Sequence, residues 1–127
     1  MIENHHAAEA KERWGDTDAY RESQRRSSGY SKEDIAKATH AMQSATDLMA
    51  KAMTDGLSAQ SLVAMDGAEA HRLSISDWWY ECNYEMHKNL AQMYLQDPRF
   101  KAHYENQAVG LAQFVSDAIF ANAARNS

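Results

Sequence analysis

The sequence predicts an all-helical fold, a compact globin-like bundle without haem, preceded by a flexible N-terminal arm. Three observations lead there. One proline and five glycines interrupt 127 residues. Good helix formers (Ala, Met, Glu, Gln, Lys) are abundant, and no long alternation of β-branched residues appears anywhere. From Ser31 onward, apolar residues recur at spacings of three and four, the period of a helix with one buried face.

The elements follow in order. Residues 1–30 form the arm: after Ile2 it offers almost no large apolar side chain except Trp14, Tyr20 and Tyr30, so burial hardly offsets the entropy of ordering it. Composition alone leaves a linker and a ligand lid both open, although "RWGDTDAY" holds two aromatics around a Gly-Asp turn and a helix cap. Residues 31–127 form the helical domain. Its first helix runs from Ser31 to Asp55, with Ile35, Ala38, Met42, Ala45, Met49 and Ala52 on one face, a capping box in "SKED" and Gly56 as its stop. A second helix begins near Ser61 and runs toward Tyr80. A third follows Asn83 as cap and reaches about Leu95, and Asp97 caps a short turn with Pro98 in its first position. The last spans about Glu105 to Ala123, with Leu111, Phe114, Val115, Ala118 and Ile119 on its apolar face.

Charge and composition remove several functions. A formal charge of −5 with scattered Lys and Arg gives no footprint for nucleic acid. No apolar run approaches the roughly 20 residues of a spanning helix, and the first residues lack a signal-peptide pattern, so a cytoplasmic protein away from the membrane is expected. A single cysteine forms no internal disulfide.

The chemistry concentrates in "WWYECNYEMH", Trp78 to His87. Ala64, Ala68, His71, Ile75, Trp78 and Cys82 share one face if the second helix extends that far. Taken singly, such residues are more often core than site: a packed Trp78, a hydrogen-bonded His71, an inert Cys82. Taken with Trp79, Tyr80, Tyr84, Tyr94, Phe100 and Tyr104, they exceed what a small core buries, and an aromatic-lined cleft for a large, partly apolar ligand is the alternative. Cys82 precedes the cap of the next helix, whose amides and dipole favour a thiolate, with His71 or His87 assisting and Glu81 opposing. "CNYEMH" has no zinc spacing, no glycine-rich phosphate loop or "GxSxG" is present, and no orienting group completes a nucleophile and base around Cys82 and His71. No metal, cofactor or catalytic residue is expected.

Three segments carry a family resemblance: "ERWGDTDAYRESQRR", "EAHRLSISDWWYECNYEMHKNLAQMYLQDPRF" and "GLAQFVSDAIFANAAR". They resemble the TipAS domain, the antibiotic-recognition domain of MerR-like transcriptional regulators, over almost the whole chain. The resemblance implies a globin-like helical domain without haem, whose N-terminal segment closes over a bound antibiotic. It implies a ligand site of Trp14, Tyr20, His71, Trp78, Trp79, Cys82, Tyr84 and Tyr104, with Cys82 as the candidate for covalent attachment to a thiopeptide dehydroalanine. The chain departs from the family motif at Trp79, Glu81, Asn83 and Tyr84, where Phe, Asp, Ser and Pro are familiar, and at Ser74, where a second histidine is frequent.

The function expected is therefore a non-enzymatic drug sensor that binds large amphipathic or thiopeptide-like ligands. DNA would be reached only through an upstream winged helix-turn-helix absent from this chain, in a homodimeric regulator. Two other readings stand beside it: a stand-alone protein that sequesters the antibiotic, and a haem or redox sensor using His71 or Cys82.

Overall fold

The structure is a computed structural model and describes residues 17–127. Among them are six helices and no strand: α1 Asp18–Ser27, α2 Lys32–Thr54, α3 Leu62–Trp78, α4 Tyr84–Gln96, α5 Pro98–Glu105 and α6 Leu111–Arg125. The all-helical reading holds. The expected arm is helical from Asp18 to Ser27, while residues 1–16, including Trp14, lie outside the described residues.

Local chemistry sets most of the helix ends. The Thr17 hydroxyl caps α1 by accepting from the Tyr20 amide. Ser31 and Asp34 close the predicted capping box on α2: each side chain accepts from the other's backbone amide. Ser61 and Asn83 cap α3 and α4 through the amides of Ala64 and Met86, and Asp97 caps α5 with Pro98 in its first turn.

Two boundaries differ from expectation. The last helix starts at Leu111, because Glu105 closes α5 and Gly110, at φ 89°, turns the chain in the left-handed region. The Glu105 carboxylate then reaches forward to the amides of Gly110 (3.0 Å) and Ala112 (2.9 Å), which hold its pKa below the usual carboxylate value and serve the bare N-terminus of α6. α3 stops at Trp78, with Trp79 as its C-cap, so Cys82 lies in the connecting segment rather than on the helical face.

α2 packs along α3 and α4 along α6, and α6 also contacts α2 and α3. Alanines line these contacts: Ala38, Ala45, Ala52, Ala64, Ala68, Ala91, Ala112 and Ala118 are all buried, with Met49, Leu111, Val115 and Ile119 filling the space between them. α2 and α3 approach closely at Gly67, in the second turn of α3, where an added Cβ would sit 2.7 Å from Met49 Cγ and 3.3 Å from Leu48 Cβ. The absence of a side chain there permits the α2 to α3 crossing, at the usual helix-propensity cost of an internal glycine, about 1 kcal/mol. Residues 79–83 join the end of α3 to the start of α4, and α1 lies against α3.

Candidate functional site

Arg72 ties the 79–83 segment to α3. The half-buried Arg72 of α3 donates to the Cys82 carbonyl (2.7 Å), pairs with Glu69 (2.6 Å) and lies over the Tyr84 ring, 4.3 Å from its centroid. Glu69 also accepts from Asn122 of α6 (2.9 Å). The hydrogen bond from Arg72, helped by Asn122 and Tyr84 and opposed by partial burial, pushes the Glu69 carboxyl down to about 2. A fixed charge pair thus links α3, α6 and the start of α4.

Cys82 is fully buried. Its amide donates to the Ser76 hydroxyl (3.3 Å) and its thiol to the Asn83 carbonyl (3.8 Å). Asn83 does cap α4, as expected, but the thiolate expectation fails. Burial pushes the thiol up to about 12, the Arg72 charge offsets only part of this, and Glu69 adds to it. A thiol that donates to a carbonyl also favours its protonated form. In this conformation Cys82 is an inert thiol.

Behind the segment lies a buried polar cluster. His71 Nδ1 is 2.9 Å from His87 Nε2, and His71 Nε2 is 3.1 Å from the Tyr104 hydroxyl. The imidazoles stack at 5.2 Å, and Tyr94 closes the group edge-on to His71. Burial lowers both histidine pKa values, His71 to about 4 with help from the charge of His103, and His87 further, with His71 and Arg72 adding. Both imidazoles are therefore neutral. If the Tyr104 hydroxyl donates to His71 Nε2, His71 Nδ1 carries a proton toward His87 Nε2 and the proton of His87 sits on Nδ1, the one buried side-chain polar atom among the described residues with no partner. Both nitrogens of His71 are engaged, and no cluster of three potential metal ligands occurs among the described residues.

The expected site residues are thus only partly assembled. Trp78 and Trp79 are half-buried at the end of α3, with the Tyr30 ring edge-on to both, at 5.6 and 6.1 Å. Tyr20 is half-buried on α1. Tyr84 stacks on Arg72 and borders a groove of about 470 Å³ that it shares with Lys88 and Phe120. His71 and Tyr104 lie inside the core, behind the aromatic wall rather than on it. Sequence reasoning missed Arg72, Glu69, Asn122, Ser76 and Arg26. Only the three-residue spacing of Glu69 and Arg72 offered a signal, the ordinary signature of a solvated helix pair.

Residues 6–122 match the TipAS antibiotic-recognition domain. The chain belongs to this family. It is 42% identical over 119 residues to the HTH-type transcriptional activator TipA of Streptomyces coelicolor and, equally, of Streptomyces lividans. The aligned part is 94% of this chain and 47% of those proteins, so the chain spans about half the length of the curated relatives it matches. Among solved structures, TipAS from Streptomyces lividans in complex with nosiheptide superposes with a TM-score of 0.88 at 40% identity, covering 98% of this chain and 87% of that one. The antibiotic-binding domain of a TipA-class multidrug resistance transcriptional regulator gives 0.58 at 36% identity, covering 76% of this chain and 95% of the other. No helix among the described residues of this TipAS-family domain is long and apolar enough to cross a membrane.

Proposed function

We propose that this domain binds large amphipathic antibiotics of the thiopeptide kind at the junction of α1, the end of α3 and the 79–83 segment, without turning them over. The observation that carries this is the aromatic wall of Tyr30, Trp78 and Trp79 beside a buried Cys82, in a chain whose relative is solved with nosiheptide. Tyr20 and Tyr84 extend the wall toward α1 and α4, His71 and Tyr104 form its inner side, reached when the 79–83 segment moves, and Trp14 would join the ligand contacts by the family resemblance. Ring faces supply the contact area and the polar tips supply orientation.

In a longer regulator, the cytoplasmic domain passes ligand binding to an upstream DNA-binding half of a homodimer by shifting a conformational equilibrium. The likeness to transcriptional activators of twice this length supports a sensor over a stand-alone sequestering protein. Cys82 is the candidate attachment point for a dehydroalanine. The thiol S–H adds across the C=C bond, sulfur bonding to the terminal carbon and the proton ending on the α-carbon, so no leaving group or redox partner is needed. Titration with nosiheptide, followed by tryptophan fluorescence and amide NMR, tests the reading. It predicts saturable one-to-one binding with shifts centred on Trp78 to Tyr84; no shift in a folded domain refutes it.

A further inference from the structure

The hydrogen bonds of the buried cluster behind the 79–83 segment run in one direction. Burial raises the pKa of the Tyr104 hydroxyl, and a hydrogen bond from Tyr94 offsets part of the rise. A bond with that effect is donated to the Tyr104 oxygen, so the Tyr104 proton is free to point the other way. It faces His71 Nε2, 3.1 Å away. His71 is neutral because burial lowers its pKa to about 4, so its single proton sits on Nδ1 and faces His87 Nε2 at 2.9 Å. Burial keeps His87 neutral too, and its own proton is left on Nδ1. Tyr94, Tyr104, His71 and His87 thus donate in series.

The series ends without an acceptor. His87 is 1% exposed, and its Nδ1 is the one buried side-chain polar atom without a partner among the described residues. A buried N–H is costly to leave open, and the donors behind it polarise it further, so an acceptor brought there is held more strongly than by an isolated imidazole. α4 defines the place. His87 lies one turn after the Asn83 cap, its amide donating to the Asn83 carbonyl at 2.9 Å, and helical side chains lean toward the helix start. The ring therefore covers the opening turn of α4, next to the segment that carries Cys82. After burial and His71, the next influence on His87 is the charge of Arg72, the residue that holds the Cys82 carbonyl.

We infer that His87 is a further binding residue: its Nδ1–H, the last donor of the series from Tyr94, is given to a neutral acceptor of the ligand, of the amide-carbonyl kind, when the 79–83 segment moves. The series selects by chemistry. A carbonyl or an unprotonated ring nitrogen fits, whereas a cationic amine or a group that can only donate meets an N–H and is rejected. That the acceptor belongs to a thiopeptide rests on the function proposed above. The direction of the series stands on its own geometry.

Long-range 1H–15N spectra of the imidazoles, recorded on the whole domain, test this atom by atom. In the free domain His71 and His87 should both carry their proton on Nδ1; a His87 proton on Nε2 overturns the inference. Saturating nosiheptide should keep the His87 proton on Nδ1, move its resonance downfield and slow its exchange with water. Tyr104→Phe removes one oxygen atom and the donor behind His71, so His87 should populate both tautomers in the free domain and return to the Nδ1 form in the complex. His87→Phe should weaken nosiheptide binding about tenfold, the effect of losing one hydrogen bond of ordinary strength, and Tyr104→Phe decides the matter should His87→Phe fail to fold. Saturable binding that leaves the His87 nitrogens unmoved overturns the inference and leaves the proposed function intact. No binding to a folded domain refutes both.

Discussion

Acidification should destabilise this domain well above the pH at which its carboxylates titrate, and the cause is the buried pair His71 and His87. In the unfolded chain each imidazole takes up a proton as the pH falls through about 6.5. In the folded chain burial delays this to about 4 for His71, and His87 moves in the same direction. Between those values the unfolded state binds more protons, so stability rises with pH across the window and falls on acidification. At about 1.4 kcal/mol per fully developed pH unit, His71 alone removes roughly 2 kcal/mol between pH 6.5 and pH 4.5. His87 adds to it in the same sense. With a urea dependence of roughly 1.5 kcal/mol per molar, the midpoint should drop by between about 1 and 2 M. Glu69 has a lowered pKa, so its contribution is present above the ordinary carboxylate value of 4.5 and is lost below it, and a lower limit of pH 4.5 keeps it largely out of the comparison. Urea unfolding followed by helical circular dichroism at pH 7, 5.5 and 4.5 measures the slope, in the wild type and in His71→Gln. A midpoint that stays level from pH 6.5 to 4.5, or the same slope in both proteins, would refute the claim that a neutral histidine pair is part of the core.

Three further expectations follow from the packing and the wall. Gly67→Ala gains helix propensity but forces Met49 away from a Cβ that would lie 2.7 Å from its Cγ, so it should destabilise the domain by about 1 to 3 kcal/mol in urea unfolding; a stabilised variant would mean that α2 and α3 separate freely. Trp79→Ala should weaken nosiheptide binding by about 1 to 3 kcal/mol in calorimetry with the helical spectrum retained, whereas unfolding without a ligand-specific effect would return Trp79 to the core. A dehydroalanine-bearing thiopeptide should leave an adduct at Cys82 that survives denaturation, formed slowly because the thiol is buried with a pKa near 12, while Cys82→Ser binds reversibly; intact mass on both proteins reads it, and tight wild-type binding without an adduct makes Cys82 a packing residue.

The helix starts were legible because capping is local. Ser31 with Asp34, Ser61, Asn83 and Asp97 each act on backbone two or three residues away, and all four sit where the sequence puts them. The ends were harder. The expected last helix joins what are two elements: α5 ends at Glu105, and Gly110, in the left-handed region, starts α6 after a turn of irregular chain. The end of α3 at Trp78 depends on Tyr30 and Arg26, about fifty residues earlier in the chain, and no local pattern encodes that. The aromatic density around Trp78 does not say which rings face inward: His71 is buried with His87 as the partner of one ring nitrogen and the Tyr104 hydroxyl as the partner of the other. The thiol was misjudged for the same reason. A helix start favours thiolate only when the sulfur is not also sealed from water, and burial is set by tertiary packing.

Hydrogen exchange with and without nosiheptide tests the account's central claim, recognition at the α1 and α3 junction, most directly. The account predicts that the antibiotic raises amide protection in residues 79–83, in α1 and through the arm before Ser31, while α2, α4 and α6, already protected, change little. Saturable binding that leaves α1 and the 79–83 segment unprotected, with protection gained elsewhere in the bundle, would contradict it.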